Sequence, residues 1–192
     1  QKAEAQTREA EIEAGLERLR ASSMAMHKSE ELLNVLSQSN LEMDKLGVEV
    51  DSVYLFTSMN KDIKKNYEFW PANELGDYSK KLSTQYIPHK WIKSLHKAWF
   101  SKTDFELTLS KAEKDSLYKK SFEKSPELNA AVTPARKKMI FSASGLTTFA
   151  AIRPNLAMLI NKFSIISFLK DDVNIIGRYA DVLNQTYTRF LD

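Results

Sequence analysis

The polar and apolar positions of this chain change period along its length, and the changes mark its elements. From Lys2 to about Met26 apolar residues recur at Ala5, Ile12, Leu19 and Met26, seven apart, with Leu16 between two of them, in a Pro-free run of Ala, Glu, Arg and Leu. That spacing predicts a long N-terminal helix with the a/d seam of a short coiled coil. Glu9 and Ser23 fall on the other d-like positions, so the helix needs either a second copy or its own domain to cover it.

Ser29, followed by Glu30 and Glu31, reads as an N-cap with acids in the first turn of a second helix. Its apolar stripe is Leu32, Leu36, Met43 and Leu46, and Gly47 stops it. The period then shortens. Val50 to Phe56 alternates as a strand, with Val53 and Leu55 facing one way and Tyr54 and Phe56 the other. Asn66 to Trp70 and Ser79 to Ile87 predict two more strands, closed by Pro71 and Pro88 and separated by a turn at Gly76 and Asp77.

His89 to Phe100 returns to a helical period, with Trp91, Leu95 and Trp99 on one face. Phe105 to Leu109 reads as a short strand. Ser110 and Glu113 make the S-x-x-E capping box of a lysine-rich helix reaching about Lys124, and Ser125 with Pro126 opens a shorter one toward Val132. Met139 to Ile152 predicts a hairpin turning at Ser144 and Gly145. Asp171 and Asp172 head a last helix, buried along Ile176, Tyr179, Leu183, Tyr187 and Phe190 and expected to run on at Asp192. This order suits an antiparallel sheet with flanking helices, an α+β fold.

Composition narrows the function. A chain of 192 residues with net charge +3 and interspersed charges has the size of one domain and no field suited to nucleic acid. With no Cys, disulfides, thiolate metal sites and a Cys nucleophile are excluded, and the cytoplasm is the expected compartment. Leu156 to Leu169 is apolar but broken by Asn161 and Lys162, too short to span a bilayer, and the start lacks a secretory signal. Both ends read as helix interiors, as in an excised fragment.

Candidate chemistry is sparse. His89 and His96 are seven apart, about 10 Å along a helix, too far for an i, i+4 metal pair. His27 lacks a neighbouring acid to activate it, and Ser142, Ser144 and Gly145 lack the G-x-S-x-G spacing of a nucleophile elbow. The lysine clusters at Lys61, Lys64 and Lys65 and along Lys111 to Lys124 read as solvated faces. No catalytic or metal site is expected. The aromatic set suits a core or a pocket, and its candidate ligand-binding members are Tyr54, Trp70, Tyr86, Trp91, Trp99 and Phe141, with His89 beside them.

The element order resembles a GAF or PAS sensor domain. The run Gln1 to Ala10, with Ile12, Glu13 and Leu16-Glu17-Arg18, resembles the linker helix of bacterial two-component sensor proteins with GAF-like domains. Ser23 to Ser29 resembles that family's junction into the domain, and Gln185 to Asp192 its closing helix. The resemblance implies a signalling helix at 1–28, a GAF-like sensor domain at 29–170 and a helix at 171–192 leading to the next module. It also implies a regulatory role without catalysis, and a cavity over the sheet that in some relatives holds a small molecule. The cofactor, if any, is left unnamed. The implied partners are a second copy, through Ile12, Leu16, Leu19, Met26, Leu183, Tyr187 and Phe190, and the adjacent modules of the same parent. The competing readings are a structural dimerisation spacer without ligand and, with less support, a small enzyme.

Overall fold

The computed structural model describes residues 2–28, 31–72 and 80–191. Its helices are α1 (Lys2–Met24), α2 (Leu32–Lys45), α3 (Lys90–Ser101), α4 (Lys111–Lys124), α5 (Pro126–Ala131), α6 (Pro134–Ser142) and α7 (Lys170–Thr188). Its strands are β1 (Ser52–Phe56), β2 (Tyr67–Ala72), β3 (Leu82–Thr84), β4 (Phe105–Ser110), β5 (Gly145–Ile152) and β6 (Ala157–Lys162). The strands form one antiparallel sheet in the order β3-β2-β1-β6-β5-β4. The expected N-cap at Ser29 and Glu30, the turn at Gly76 and Asp77, and the chain end at Asp192 lie outside the described residues.

Both faces of the sheet are covered. Val53, Leu55, Trp70, Phe149, Met158 and Ile160 pack on a layer of α1, α2 and α7. Phe56, Phe69, Leu146, Ala150 and Leu159 face the opposite way, with residues of α3, α4 and α5. Period-2 alternation places successive side chains of a strand in different cores. Double burial also explains why every residue of β5 and β6 is buried, without the polar alternation of a one-faced sheet.

That burial accounts for the largest correction. Residues 139–142 close helix α6, and the hairpin joins β5 to β6 instead, with Arg153 N–H donating to Leu156 O across its turn. The apolar run from Leu156 therefore contains a central strand. The helix signal was present at Thr133-Pro134: Thr133 Oγ1 accepts from Arg136 N–H at 3.2 Å, and Pro134 takes the first helical position. Gly145 does not adopt a positive φ. A Cβ there would stand 2.5 Å from Leu109 O, so close strand approach is what requires glycine. Gly47, at φ +77, does take the left-handed conformation expected after α2.

The ladders also differ in length from the expectation. β2 continues through Pro71 to Ala72, because β3 pairs only with residues 67–69 and Pro71 lies past the end of that ladder. β3 itself is three residues long. The capping box forms as expected: Glu113 N–H donates to Ser110 Oγ at 3.3 Å and Ser110 N–H to Glu113 Oε2 at 2.9 Å. Ser125 caps α5, accepting from Leu128 N–H.

The N-terminal seam turns inward. Ile12, Leu16 and Leu19 are 2%, 1% and 0% exposed, and with Met26 they pack in the same core as α2 and as Leu183 and Tyr179 of α7. Tyr187 and Phe190 pack on that core from its edge. Of the residues assigned to a second copy, Ile12, Leu16, Leu19, Met26 and Leu183 are thus covered by the chain's own helices, Tyr187 and Phe190 are half-buried, and Ala5, at the head of the seam, is exposed. The terminal helices and the sheet share one core. α7 stops at Thr188, short of the run to the chain end that the sequence suggested.

Two polar contacts tighten this layer. Glu42 of α2 is buried and takes Arg18 of α1 on Oε2 at 2.6 Å and Lys45 on Oε1 at 3.0 Å, and the Arg18 hydrogen bond holds its carboxyl below the usual range against the opposing effect of burial. Beside it, the Tyr179 hydroxyl lies against Gly15, buried and with no hydrogen-bond partner. Burial, with the Glu42 charge as the next cause, pushes that phenol up to about 12.

Candidate functional site

The site is built on the sheet face opposite the terminal helices. Ser52 of β1 and Thr148 of β5 are both in register with Asn161 of β6, and period-2 alternation points all three to this face. They form a polar row across three strands whose flanking rows are apolar. The row is hydrogen-bonded throughout. Trp91 Nε1–H of α3 donates to Thr148 Oγ1 at 2.9 Å, Thr148 Oγ1 donates to Asn161 Oδ1 at 2.5 Å, and Asn161 Nδ2 donates to Ser52 Oγ at 3.3 Å. Thr148 and Asn161 are fully buried. An unpaired polar group at such depth costs about 1–3 kcal/mol, so the bond from Trp91 to this chain of side chains fixes α3 over the sheet.

His89 sets the start of α3. Its Nδ1 accepts from Trp91 N–H at 3.1 Å as the helix N-cap, and its Nε2 lies 3.1 Å from Glu113 O at the start of α4. Both contacts are satisfied by the neutral ring with its proton on Nε2. Burial lowers the His89 pKa, Lys120 and Lys90 lower it further, and the carbonyl and charge of Glu113 oppose them.

Because the folded-state pKa lies below the unfolded value near 6.5, the His89 contribution is complete above about pH 6.5 and is lost as pH falls from there through the folded pKa. Thermal melts of wild type and His89→Asn between about pH 8 and pH 5 check this. The wild type is expected to lose stability on acidification more steeply than the variant, whose amide still caps α3. Parallel curves would remove His89 as the cause.

Between the polar row and the helices is a cavity. Tyr54 and Phe56 of β1 and Phe69 of β2 line it from the sheet, and Leu146 and Asn161 from the central strands. Trp91 and Ile92 of α3, Leu117, Tyr118 and Ser121 of α4, and Leu128 of α5 close it, with Thr84 and Ile87 at one end. Its free volume is about 40 Å³, within a space of about 510 Å³ among the lining side chains when the opening to solvent is counted. Tyr54 meets Phe69 and Trp91 edge-on at 5.5 and 6.3 Å. Burial pushes the Tyr54 phenol up, against hydrogen bonds with Tyr118 and Ser52 and the charge of Arg136, so it is neutral in the cavity.

Of the residues the sequence proposed for a ligand site, Tyr54 and Trp91 line this cavity. Trp70 faces the other core, beneath the terminal helices. Trp99 packs in the α3 core under Lys102, whose Nζ stands 4.4 Å from its ring, and Tyr86 packs on that core's edge. His89 is a cap, and Phe141 sits on α6 against Phe122 at 6.2 Å. These five are outside the lining because strand parity and helix phase send them elsewhere. Asn161 was not among the residues the sequence proposed; its signal was a lone amide inside an otherwise apolar run. Leu117, Tyr118 and Ser121 of the α4 wall sit in a lysine-rich run expected to be a solvated face, yet Lys114 in that run is itself fully buried.

Among the described residues no three His, Cys, Asp or Glu side chains gather to hold a metal ion. Nor is any helix there long and apolar enough to cross a membrane. No family model and no curated protein matches the sequence. Solved structures do. The chain is similar to the phycoerythrobilin-bound GAF domain of a cyanobacterial phytochrome, with TM-score 0.51 and 10% identity over 93% of this chain and 97% of that one.

The fold is that of a GAF domain. The chain is also similar to the chromophore-binding domain of an unusual bacteriophytochrome from R. palustris, with TM-score 0.53 and 10% identity over 93% of this chain. It spans 60% of that structure's length. The long bacteriophytochrome of the same organism gives TM-score 0.53 and 8% identity, and this chain spans 36% of it. At these identities the likeness is one of fold, and function has to be argued from the cavity of this GAF fold itself.

Proposed function

We propose that this GAF fold is a regulatory sensor module of a bacterial two-component signalling protein, binding a small molecule in the cavity and passing its occupancy to the terminal helices. The observation that carries the reading is the aromatic cavity beside Asn161, the middle residue of the Ser52–Asn161–Thr148 row: mostly apolar and furnished with a few polar groups, the usual lining of a small-molecule site. One structural neighbour is a phycoerythrobilin-bound GAF domain. With no Cys in this chain, a thiol link is not available to its own ligand.

The route to the helices is short. β1, β5 and β6 carry the cavity on one face and the core of α1, α2 and α7 on the other, so a shift of these strands is felt by both. Any dimer in this reading forms on the outward faces of α1 and α7, since their inward faces are filled. The chain carries no chemistry of its own in this proposal.

Native mass spectrometry of protein purified from its own host, beside Ser121→Leu, tests the reading. Ser121 lines the cavity, and its replacement by a larger apolar side chain takes up the free volume. Wild type is expected to retain a small molecule that denaturation releases and the variant to carry much less, with altered output from the parent protein. An empty wild type, together with unchanged output in the variant, would favour the dimerisation spacer.

A further inference from the structure

The Asn161 side chain is held on two flanks and free at its tip. Thr148 and Ser52 stand on the strands either side of β6, one donating to Oδ1 and the other accepting from Nδ2. A primary amide offers two N–H hydrogens and two oxygen lone pairs. One of each is used, leaving one donor and one acceptor side by side on a residue that lines the cavity. Either way round, the two flanking hydroxyls take up one amide oxygen lone pair and one amide hydrogen, and one donor and one acceptor remain.

Charge complements this. Among the described residues the lining contains no Lys, Arg, His, Asp or Glu, and its polar members, Tyr54, Tyr118, Thr84, Ser121 and Asn161, are all neutral. A carboxylate, phosphate or ammonium entering here would give up water without meeting an opposite charge in the lining, the Arg136 charge felt at Tyr54 lying outside it, and that exchange is unfavourable. An uncharged planar group pays no such penalty, and stacked on Trp91 or on Tyr54 it meets the other ring edge-on, since the two stand at 86°.

We propose that the cavity takes a small uncharged ring molecule bearing a cis-amide, a lactam or ring carboxamide edge, that pairs with the Asn161 amide through two hydrogen bonds. This rests on the reading of the cavity as the sensing site. The present free room, about 40 Å³, is far below the roughly 300 Å³ at which ordinary ligand pockets begin. A ring therefore enters by displacing the wall outside the sheet, where Ile87 stands between β3 and α3 and Leu128 on the short helix α5.

Binding of 2-pyridone, N-methyl-2-pyridone and benzoate to the whole chain, followed by NMR titration, tests the ligand class, and xenon under pressure tests the cavity. 2-Pyridone has the full amide edge, its N-methyl relative lacks the donor, and benzoate carries a charge. Xenon is expected to shift the methyls of Ile92 and Leu146, and 2-pyridone to bind at least about tenfold more tightly than either of the others, a difference of about 1.4 kcal/mol. Asn161→Leu is expected to keep the xenon response and lose the preference for 2-pyridone. If that variant fails to fold, the two pyridones on wild type decide the matter.

The failures are distinguishable. No xenon response would remove the cavity, and the sensing reading with it. A xenon response with no 2-pyridone binding, or with equal binding of benzoate or N-methyl-2-pyridone, would overturn the ligand class and leave the cavity standing.

Discussion

Leu16→Glu and Leu19→Glu are each expected to unfold the helix layer, lowering stability by at least about 4 kcal/mol. Both leucines are buried in a core shared with α2 and α7, so each substitution removes a well-packed side chain and places a carboxyl where no cation was provided. Domains commonly have about 5–15 kcal/mol in total, so a loss of this size brings the fold near its limit. Circular dichroism melts combined with light scattering separate the two roles these residues could have. An interchain seam would give a folded monomer from a dimer, with its melt little changed. The intramolecular packing gives a large fall in melting temperature at any association state. A folded, stable Leu16→Glu monomer would return the seam to the partner.

Gly15→Ala is expected to destabilise the protein by about 1–2 kcal/mol, against the usual gain of about 1 kcal/mol when alanine replaces a helical glycine. The added Cβ would stand 2.4 Å from the Tyr179 hydroxyl oxygen, and Tyr179 is a fully buried ring with little freedom to retreat. Overpacking then outweighs helix propensity. Tyr179→Phe alone should be close to neutral, because its hydroxyl is buried and unpartnered and its removal leaves no hydrogen bond broken. The pair provides the decisive comparison. In the Tyr179→Phe background, Gly15→Ala should recover most of the loss, giving a coupling of about 1 kcal/mol or more in a double-mutant cycle read by chemical denaturation. Equal effects of Gly15→Ala in both backgrounds would mean that the hydroxyl is not what the alanine meets.

Local signals carried much of this fold. The stripe Leu32, Leu36, Met43, Leu46 fixed the buried side of α2, and Trp91, Leu95, Trp99 that of α3, because a 3.6-residue period needs only the helix's own residues to be seen. The Ser110 and Glu113 box marked the start of α4 for the same reason: both partners of each bond lie within four residues. The alternation in β1 placed Tyr54 and Phe56 together on one face before any neighbour was known.

What covers a face is another matter. The heptad positions of α1 state that Ile12, Leu16 and Leu19 must be buried, yet the same pattern is satisfied by a second copy or by α2 and α7, and only the tertiary packing chose the latter. Strand β6 was hidden because burial on both faces erases alternation, leaving an apolar run whose one amide looked like an interruption. That amide, Asn161, acquires its meaning from Ser52, 109 positions away, and Thr148, 13 positions away, which sheet register sets on either side of it. The cavity has the same origin. Its lining comes from the sheet, three helices and the connection before α3, so its membership is decided by strand register and helix phase, which no short stretch of sequence contains.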